Sequence, residues 1–276
     1  PFAYVDITKE YDNLVNNPNI KKSKIRARDL ENEISKLQQE SGYPYIVNID
    51  TVNNLSPVEG KIIMSNLCSE IMQVQTPSVI NDAQEYEKLG TDISCNLGST
   101  NIVNMMKSPD FERSVEIAVR ALTFVTDHSN VEAVPTVKHG NDIAHTIGLG
   151  AMGLHTFFAL NAMEYGDEES IEFTDMYFRL LNYYSLKASN KIAKERSVSF
   201  NNFENSKYAT DEYFDAYIKE DFNIKSDKVR NLFADIHIPS RKDWEELKGE
   251  VKEFGLYHQN RLAIAPTGSI SYINET

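Results

Sequence analysis

The chain has 276 residues, 41% hydrophobic and 25% charged, with 28 basic against 41 acidic side chains and a net charge of -13. That is enough to bury the core of one large domain or two small ones, and the acidic balance disfavours a nucleic-acid groove, which needs a positive surface. No apolar stretch approaches a membrane span and no signal-peptide pattern opens the chain. The two cysteines, Cys68 and Cys95, make no disulfide framework, so a reducing, cytoplasmic setting is expected.

In chain order, Lys21, Lys22, Lys24, Arg26 and Arg28 read as a solvated helix start rather than a phosphate-backbone site. Residues 24–40 carry Ile25, Leu30, Ile34 and Leu37 near helical spacing and stop at Ser41-Gly42 before Pro44. Tyr45–Ile49 reads as a short β-rich run and residues 51–60, with Asn53-Asn54, Ser56-Pro57 and Gly60, as loop. Residues 61–75 alternate apolar and polar types, which predicts extended chain, and 92–97 is a second short strand ending at Gly98. Helices are predicted over Phe111–His128, Leu149–Leu160, Ser170–Arg196, Asp211–Glu220 and Arg241–Phe254, followed by a buried strand at Arg261–Ala265. Short strands among long helices imply an α/β fold with a parallel sheet. The chain starts Pro1-Phe2 without Met and ends at Thr276 just after a loop that looks functional, so a fragment of a longer protein is expected.

Three stretches carry chemistry. In Ser65-Asn66-Leu67-Cys68-Ser69-Glu70-Ile71, an amide, a thiol and a carboxylate stand at i, i+2 and i+4. On an extended segment they share a face, whereas on a helix the first two would be roughly 200° apart. An amide holds a hydroxyl, a carboxylate removes its proton, and a thiol serves as nucleophile, ligand or radical. The residues alone leave a plainer alternative, with Cys68 a small buried hydrophobe and Glu70 a solvated surface group. A metal site is not expected, because no second Cys or His stands at ligand spacing. Cys95, in Asp92–Ser99, is a lone thiol at the end of a predicted strand, catalytic or simply buried. Ala265-Pro266-Thr267-Gly268-Ser269-Ile270-Ser271 follows an apolar run. Gly268 allows close backbone approach, and free N–H groups with the Thr267, Ser269 and Ser271 hydroxyls suit a phosphate. A plain turn explains it equally, and the Gly-Lys-Ser/Thr of a P-loop is lacking.

Gly148-Leu149-Gly150-Ala151-Met152-Gly153 matches G-x-G-x-x-G, with Glu172 near the acidic position of a dinucleotide fold. That would make a nicotinamide-dependent dehydrogenase. The residues before it, His139–Ile147, are poor strand material, so the glycines are read as close helix packing, and His145 and His155 as structural rather than a metal pair.

Together these stretches resemble the large, catalytic (alpha) subunit of class I ribonucleotide reductases, closest to class Ib in wording. Ser41–Tyr45 and Lys61–Ile71 resemble the radical-cysteine region, Asp92–Ser99 the strand with a redox cysteine and Ile147–His155 a family helix. Lys187–Asn190 and Ala265–Asn274 also fit, and the matches run in family order from about residue 25 to the end. The resemblance implies a ten-stranded α/β barrel of two five-stranded halves, of which residues 1–276 would form one partial catalytic domain, with a finger loop presenting Cys68. It implies that a Cys68 thiyl radical removes the 3′ hydrogen of a ribonucleoside diphosphate while Asn66 and Glu70 hold and deprotonate the 3′ hydroxyl. Cys95 would be one of a reducing pair, and Thr267, Gly268, Ser269, Ile270 and Ser271 would grip the diphosphate.

The resemblance further implies no directly bound cofactor. The radical would come from a metal-containing small subunit, and reducing equivalents from a dithiol such as a thioredoxin or glutaredoxin-like protein. Nucleotide effectors and a homodimer belong to the full enzyme. The partner of Cys95, the paired radical-path tyrosines, the C-terminal cysteine pair and much of the allosteric specificity site are not in this sequence. The chain alone is therefore expected to be inactive. A non-catalytic segment serving only in assembly is the alternative, and would expose strand edges and apolar surface when alone.

Overall fold

A computed structural model describes residues 5–94, 96–129, 131–220 and 222–276. Three helices open the chain, α1 (Ile7–Asn16), α2 (Ala27–Ser41) and α3 (Ile49–Leu55). A small antiparallel hairpin follows, β1 (Val79–Ile80) with β2 (Tyr86–Lys88). Then come β3 (Leu97–Asn101), α4 (Ile102–Met106), α5 (Phe111–His128), α6 (Pro135–Ala144), β4 (Gly148–Met152), α7 (Leu154–Leu160) and α8 (Glu168–Arg196). The last four are α9 (Glu212–Lys219), α10 (Asp227–Leu232), α11 (Arg241–Phe254) and α12 (Gly268–Ile273).

The long helices form where the sequence caps them. Asp110 accepts the Arg113 N–H at the start of α5, Asp167 accepts the Ser170 N–H at the start of α8, and Ser240 and Asp243 make a capping box at α11. In α8, Glu168 and Glu169 in the first turn and Lys194 and Arg196 in the last complement the helix dipole. Its inner face, with Phe173, Tyr177, Leu180, Leu181 and Leu186 fully buried, is the spine of the core. Phe173 stacks on Phe157 at 4.2 Å and on Phe233 at 5.3 Å between ring centroids. Opposite charges join α5 to α8. Burial raises the Glu116 carboxyl, but contacts from Lys191, Arg120 and Arg113 outweigh it and hold the group down at about 2.

The sheet is parallel. β3 pairs with β4 in register from Leu97↔Gly148 to Asn101↔Met152. On the other side of β4, Ile147 N–H donates to Asn260 O (3.1 Å), Leu149 N–H to Arg261 O (2.8 Å) and Ala263 N–H to Leu149 O (3.2 Å). The predicted strand at Arg261–Ala265 is thus a short parallel edge centred on Leu262. The described residues do not close a barrel. Tyr177 ties this sheet to α8. The Thr100 hydroxyl donates to Gly150 O at 3.0 Å, so the buried Tyr177 hydroxyl donates to Thr100 Oγ1, also at 3.0 Å.

Several predicted elements are corrected. Leu149–Leu160 is not one helix, because residues 148–152 are buried on both faces as β4 and the helix starts only at Leu154. The glycines serve strand packing, not helix packing. A Cβ at Gly148 would sit 2.7 Å from Leu97 Cδ2, and one at Gly150 would collide with the Ala263 carbonyl. Tyr45–Ile49 is not a strand. Residues 43–48 run as irregular chain, and Ile49, Val52 and Leu55 at helical spacing form α3, which starts at the last residue of the predicted strand and continues to Leu55 inside the stretch read as loop. Asn53, read as a turn residue, uses its amide to bond Ile49 O and both backbone groups of Ile62. The strand read at 92–97 begins only at Leu97 and runs on to Asn101, whose side chain caps α4. The sequence reading did not foresee α1 or the hairpin. The basic run is solvated, as expected, and Lys22 Nζ also binds the Val15 and Asn17 carbonyls at the end of α1.

Two histidines give the fold an acid limit. His258 is fully buried, its Nε2 2.9 Å from Thr123 Oγ1 and its Nδ1 2.9 Å from Ser189 Oγ. Thr123 spends its hydrogen on Val119 O, so Nε2 carries the ring proton. Burial first, then the Arg261, His145 and Arg196 charges, hold His258 well below the ordinary histidine range. His145, stacked 4.2 Å from Tyr257, is lowered chiefly by burial as well. The unfolded chain therefore binds protons that the folded one refuses. Stability is full above the unfolded histidine value of about 6.5 and falls as pH drops below it, by up to about 1.4 kcal/mol per pH unit for each ring. Thermal unfolding from pH 8 to 5.5 is expected to show a midpoint that declines below pH 6.5, with a shallower decline in His258→Gln. A midpoint flat across this range would contradict the assignment.

Candidate active site around the Cys68 turn

The chain between α3 and the hairpin runs extended into a tight turn and back. Ile62 on the way in and Ile71 on the way out are buried, 2% and 4% exposed, and pin the two arms. Between them, Ser69 N–H donates to Asn66 O at 3.1 Å, and Ser69 takes a left-handed φ of 62°. Asn66 Oδ1 accepts the Ile71 N–H at 3.1 Å, and the Ser65 hydroxyl donates to Ile71 O at 2.7 Å. These bonds lock the base of a loop whose tip is Leu67-Cys68.

This corrects the extended reading of Asn66–Glu70. The three groups do not line up along one pleated face, because Asn66 uses its own side chain to fold the backbone into a turn. Cys68 is exposed at the tip, against the plainer expectation of a buried thiol. Glu70 is half-buried, and its Oε2 is shielded from water with no hydrogen-bond partner. A carboxylate oxygen withdrawn from water without a donor is costly. Oδ1 of Asn66 is committed to the backbone.

Sequence reasoning gave Tyr45 no role of its own. Its ring lies 5.0 Å from that of Tyr43, and its hydroxyl is pushed up, first by Tyr43 and in the smallest measure by Cys68.

The terminal loop lies elsewhere. Thr267, at a left-handed φ of 57°, opens the short helix α12. Gly268, Ser269 and Ile270 are exposed, and a Cβ on Gly268 would meet open space. The first N–H groups of a helix lack intrahelical partners, while the Ser271 hydroxyl is spent on Gly268 O at 2.7 Å. Asn101 Nδ2, at the end of β3, donates to Asn274 O at 3.3 Å and fixes α12 beyond the carboxyl ends of the strands, where α/β folds bind ligands. Among the described residues no hydrogen bond joins this loop to the Cys68 turn. Cys95 lies outside the described residues. Among them, no group of His, Cys, Asp or Glu is placed to hold a metal ion, and no helix is long and apolar enough to cross a membrane.

The family model of the ribonucleotide reductase barrel domain matches residues 2–276. The chain belongs to the ribonucleotide reductase family. It is 43% identical over 274 residues to the ribonucleoside-diphosphate reductase subunit alpha of Bacillus subtilis (strain 168), covering 99% of this chain and 39% of that relative. The same-named subunit of Mycoplasma pneumoniae is also 43% identical, over 280 residues, with the same coverage. The nrdEB subunit alpha of Bacillus phage SPbeta is 40% identical over 272 residues, 97% of this chain and 25% of that protein. The chain therefore spans about two-fifths or less of these reductases and corresponds to a segment of their large subunit. The dehydrogenase reading falls with the motif that suggested it, since Gly148 and Gly150 lie inside β4 rather than at a strand-to-helix turn.

Proposed function

We propose that this segment supplies the radical thiol, Cys68, of a class Ib ribonucleoside-diphosphate reductase. The observation that carries it is the turn itself: an exposed thiol at the tip, between an asparagine whose Oδ1 accepts the Ile71 N–H and a glutamate with one shielded carboxylate oxygen that has no partner. In this reading the turn is the finger loop of a ten-stranded barrel completed by the remaining segments of the large subunit. The Cys68 thiol becomes a thiyl by giving an electron to the radical of a metal-containing small subunit and its proton to a base on the path between the subunits, both returning when the cycle closes. The thiyl then takes the 3′ hydrogen of the ribose. Glu70 takes the 3′ hydroxyl proton, and the Asn66 amide holds the hydroxyl. The 2′ hydroxyl leaves as water, and a cysteine pair that includes Cys95 supplies two electrons and two protons as it closes to a disulfide. The hydrogen held on Cys68 returns to C3′, so the net change is ribonucleotide and dithiol to deoxyribonucleotide, disulfide and water. A thioredoxin or glutaredoxin-like dithiol reopens the disulfide.

The diphosphate is assigned to the first turn of α12, where the N–H groups of Gly268, Ser269 and Ile270 and the Thr267 and Ser269 hydroxyls form an anion nest. Nucleotide effectors, a homodimer and a cytoplasmic location belong to the same proposal. Without the remaining segments the chain is expected to be inactive. None of the residues of α1, α2 or α3 is buried, which favours a piece completed by assembly. The test is turnover of cytidine diphosphate by a large subunit containing this segment, with a class Ib small subunit and a dithiol. Formation of the deoxy product is expected, several-fold slower from substrate deuterated at C3′. No product from an assembled complex, or no isotope effect in a single turnover, would refute the proposal.

A further inference from the structure

Beyond the turn, the returning arm is held by side-chain amides. Residues 71–75 alternate, with Ile71, Gln73 and Gln75 buried at 4%, 5% and 8% exposed and Met72 and Val74 only half-buried. A buried face of a strand ordinarily carries apolar residues, yet two of these three are glutamines. Gln73 Nε2 donates to Ser94 O at 3.1 Å, on the chain that leads into β3. On the other side of the sheet, Asn260 Nδ2 donates to Met72 O at 3.1 Å, while the Asn260 carbonyl accepts the Ile147 N–H beside β4. Asn260 is half-buried, and its Oδ1 is shielded from water without a partner, so the bond of this amide is the one its donor makes to Met72 O. Further along, Thr76 and Thr91 exchange backbone bonds of 3.3 and 3.0 Å.

We propose that Gln73 and Asn260 are positioning residues that fix the register of the Cys68 turn against the first and third strands of the sheet; this rests on the role of Cys68 proposed above. Apolar contact is non-directional, so with leucines at these places the arm would be fixed in register only from Thr76 outward, by its bonds to Thr91, and not on the side of the turn. A hydrogen bond is directional and short-ranged. A slip of one residue would carry Cys68 about 3.3 Å along the arm and turn its side chains over. Hydrogen transfer between a thiol and one ribose carbon does not survive a displacement of that size.

The test replaces each amide by an apolar side chain of similar length, Gln73→Met and Asn260→Leu, in the whole large subunit. Two measurements are made, hydrogen exchange of residues 66–72 and steady-state reduction of cytidine diphosphate with the small subunit. Exchange in 66–72 is expected to rise at least tenfold while α5 and α8 stay protected, and kcat to fall at least tenfold with KM within twofold. Where Gln73→Met also loosens α8, Asn260→Leu, which removes one bond to the Met72 carbonyl, decides the matter. Unchanged exchange in 66–72, or faster exchange with kcat retained, would overturn the proposal. Activity that persists in Cys68→Ser would instead remove the role of Cys68, and the exchange result would still stand by itself.

Discussion

Glu70→Gln in the reconstituted reductase is expected to lower kcat by about 10²–10⁴-fold, the range of a positioned general base, with KM within a few-fold. Oε2 of Glu70 is shielded from water and unpartnered, so in the resting protein it costs free energy rather than contributing it. A glutamine of the same shape removes the charge and cannot accept a proton. The variant should therefore be at least as stable as the parent while losing turnover, the signature of a group kept for the reaction. Stability follows from thermal melts and turnover from deoxycytidine diphosphate formed per minute. A variant that loses stability and keeps its rate would make Glu70 a structural residue and leave the turn without a base.

The second large effect concerns folding. Phe173→Ala is expected to destabilise the protein by about 3–5 kcal/mol, the range for emptying a buried aromatic site, against a typical total of about 5–15 kcal/mol. Phe173 is fully buried, stacks on Phe157 and Phe233, and meets Phe158 edge-on at 6.0 Å. The cavity would lie between α7, α8 and the end of α10, where rigid rings leave little to collapse into it. Tyr177→Phe, one turn further along, keeps the ring and removes only the bond to Thr100, so about 1 kcal/mol is expected there. Urea unfolding of both variants checks the pair. Equal losses would mean that the hydroxyl, not the ring stack, dominates the joint between α8 and the sheet.

How far the sequence carried these conclusions varied with what each element depends on. α5 and α11 run from the residue where the helical period starts to the residue where it stops, because Asp110 and Ser240 cap them locally. β4 was unreadable for the opposite reason. Gly148-Leu149-Gly150-Ala151-Met152 has no β-branched residue, and its state is decided by its pairing with Leu97–Asn101 far upstream and with Leu262 far downstream. Tyr45–Ile49 has the composition of a strand but finds no strand to pair with. At the site, the spacing of Asn66, Cys68 and Glu70 was legible and their conformation was not. The turn is made by Asn66 Oδ1 reaching the Ile71 N–H and by a serine in a left-handed conformation, with no glycine or proline to announce it. Residue types alone left Cys68 open between a core thiol and a reactive one. The resemblance to the reductases implied the second, and the exposure of the thiol excludes only the first.

The central claim, that Cys68 carries the reaction, is tested most directly by Cys68→Ser in the assembled large subunit, with its small subunit, a dithiol and cytidine diphosphate. One sulfur becomes oxygen at an exposed turn, so folding, assembly and substrate binding should be unchanged. The expected result is binding of the diphosphate as in the parent with no deoxycytidine diphosphate formed. Deoxy product from the serine variant, at a rate within tenfold of the parent, would contradict the account.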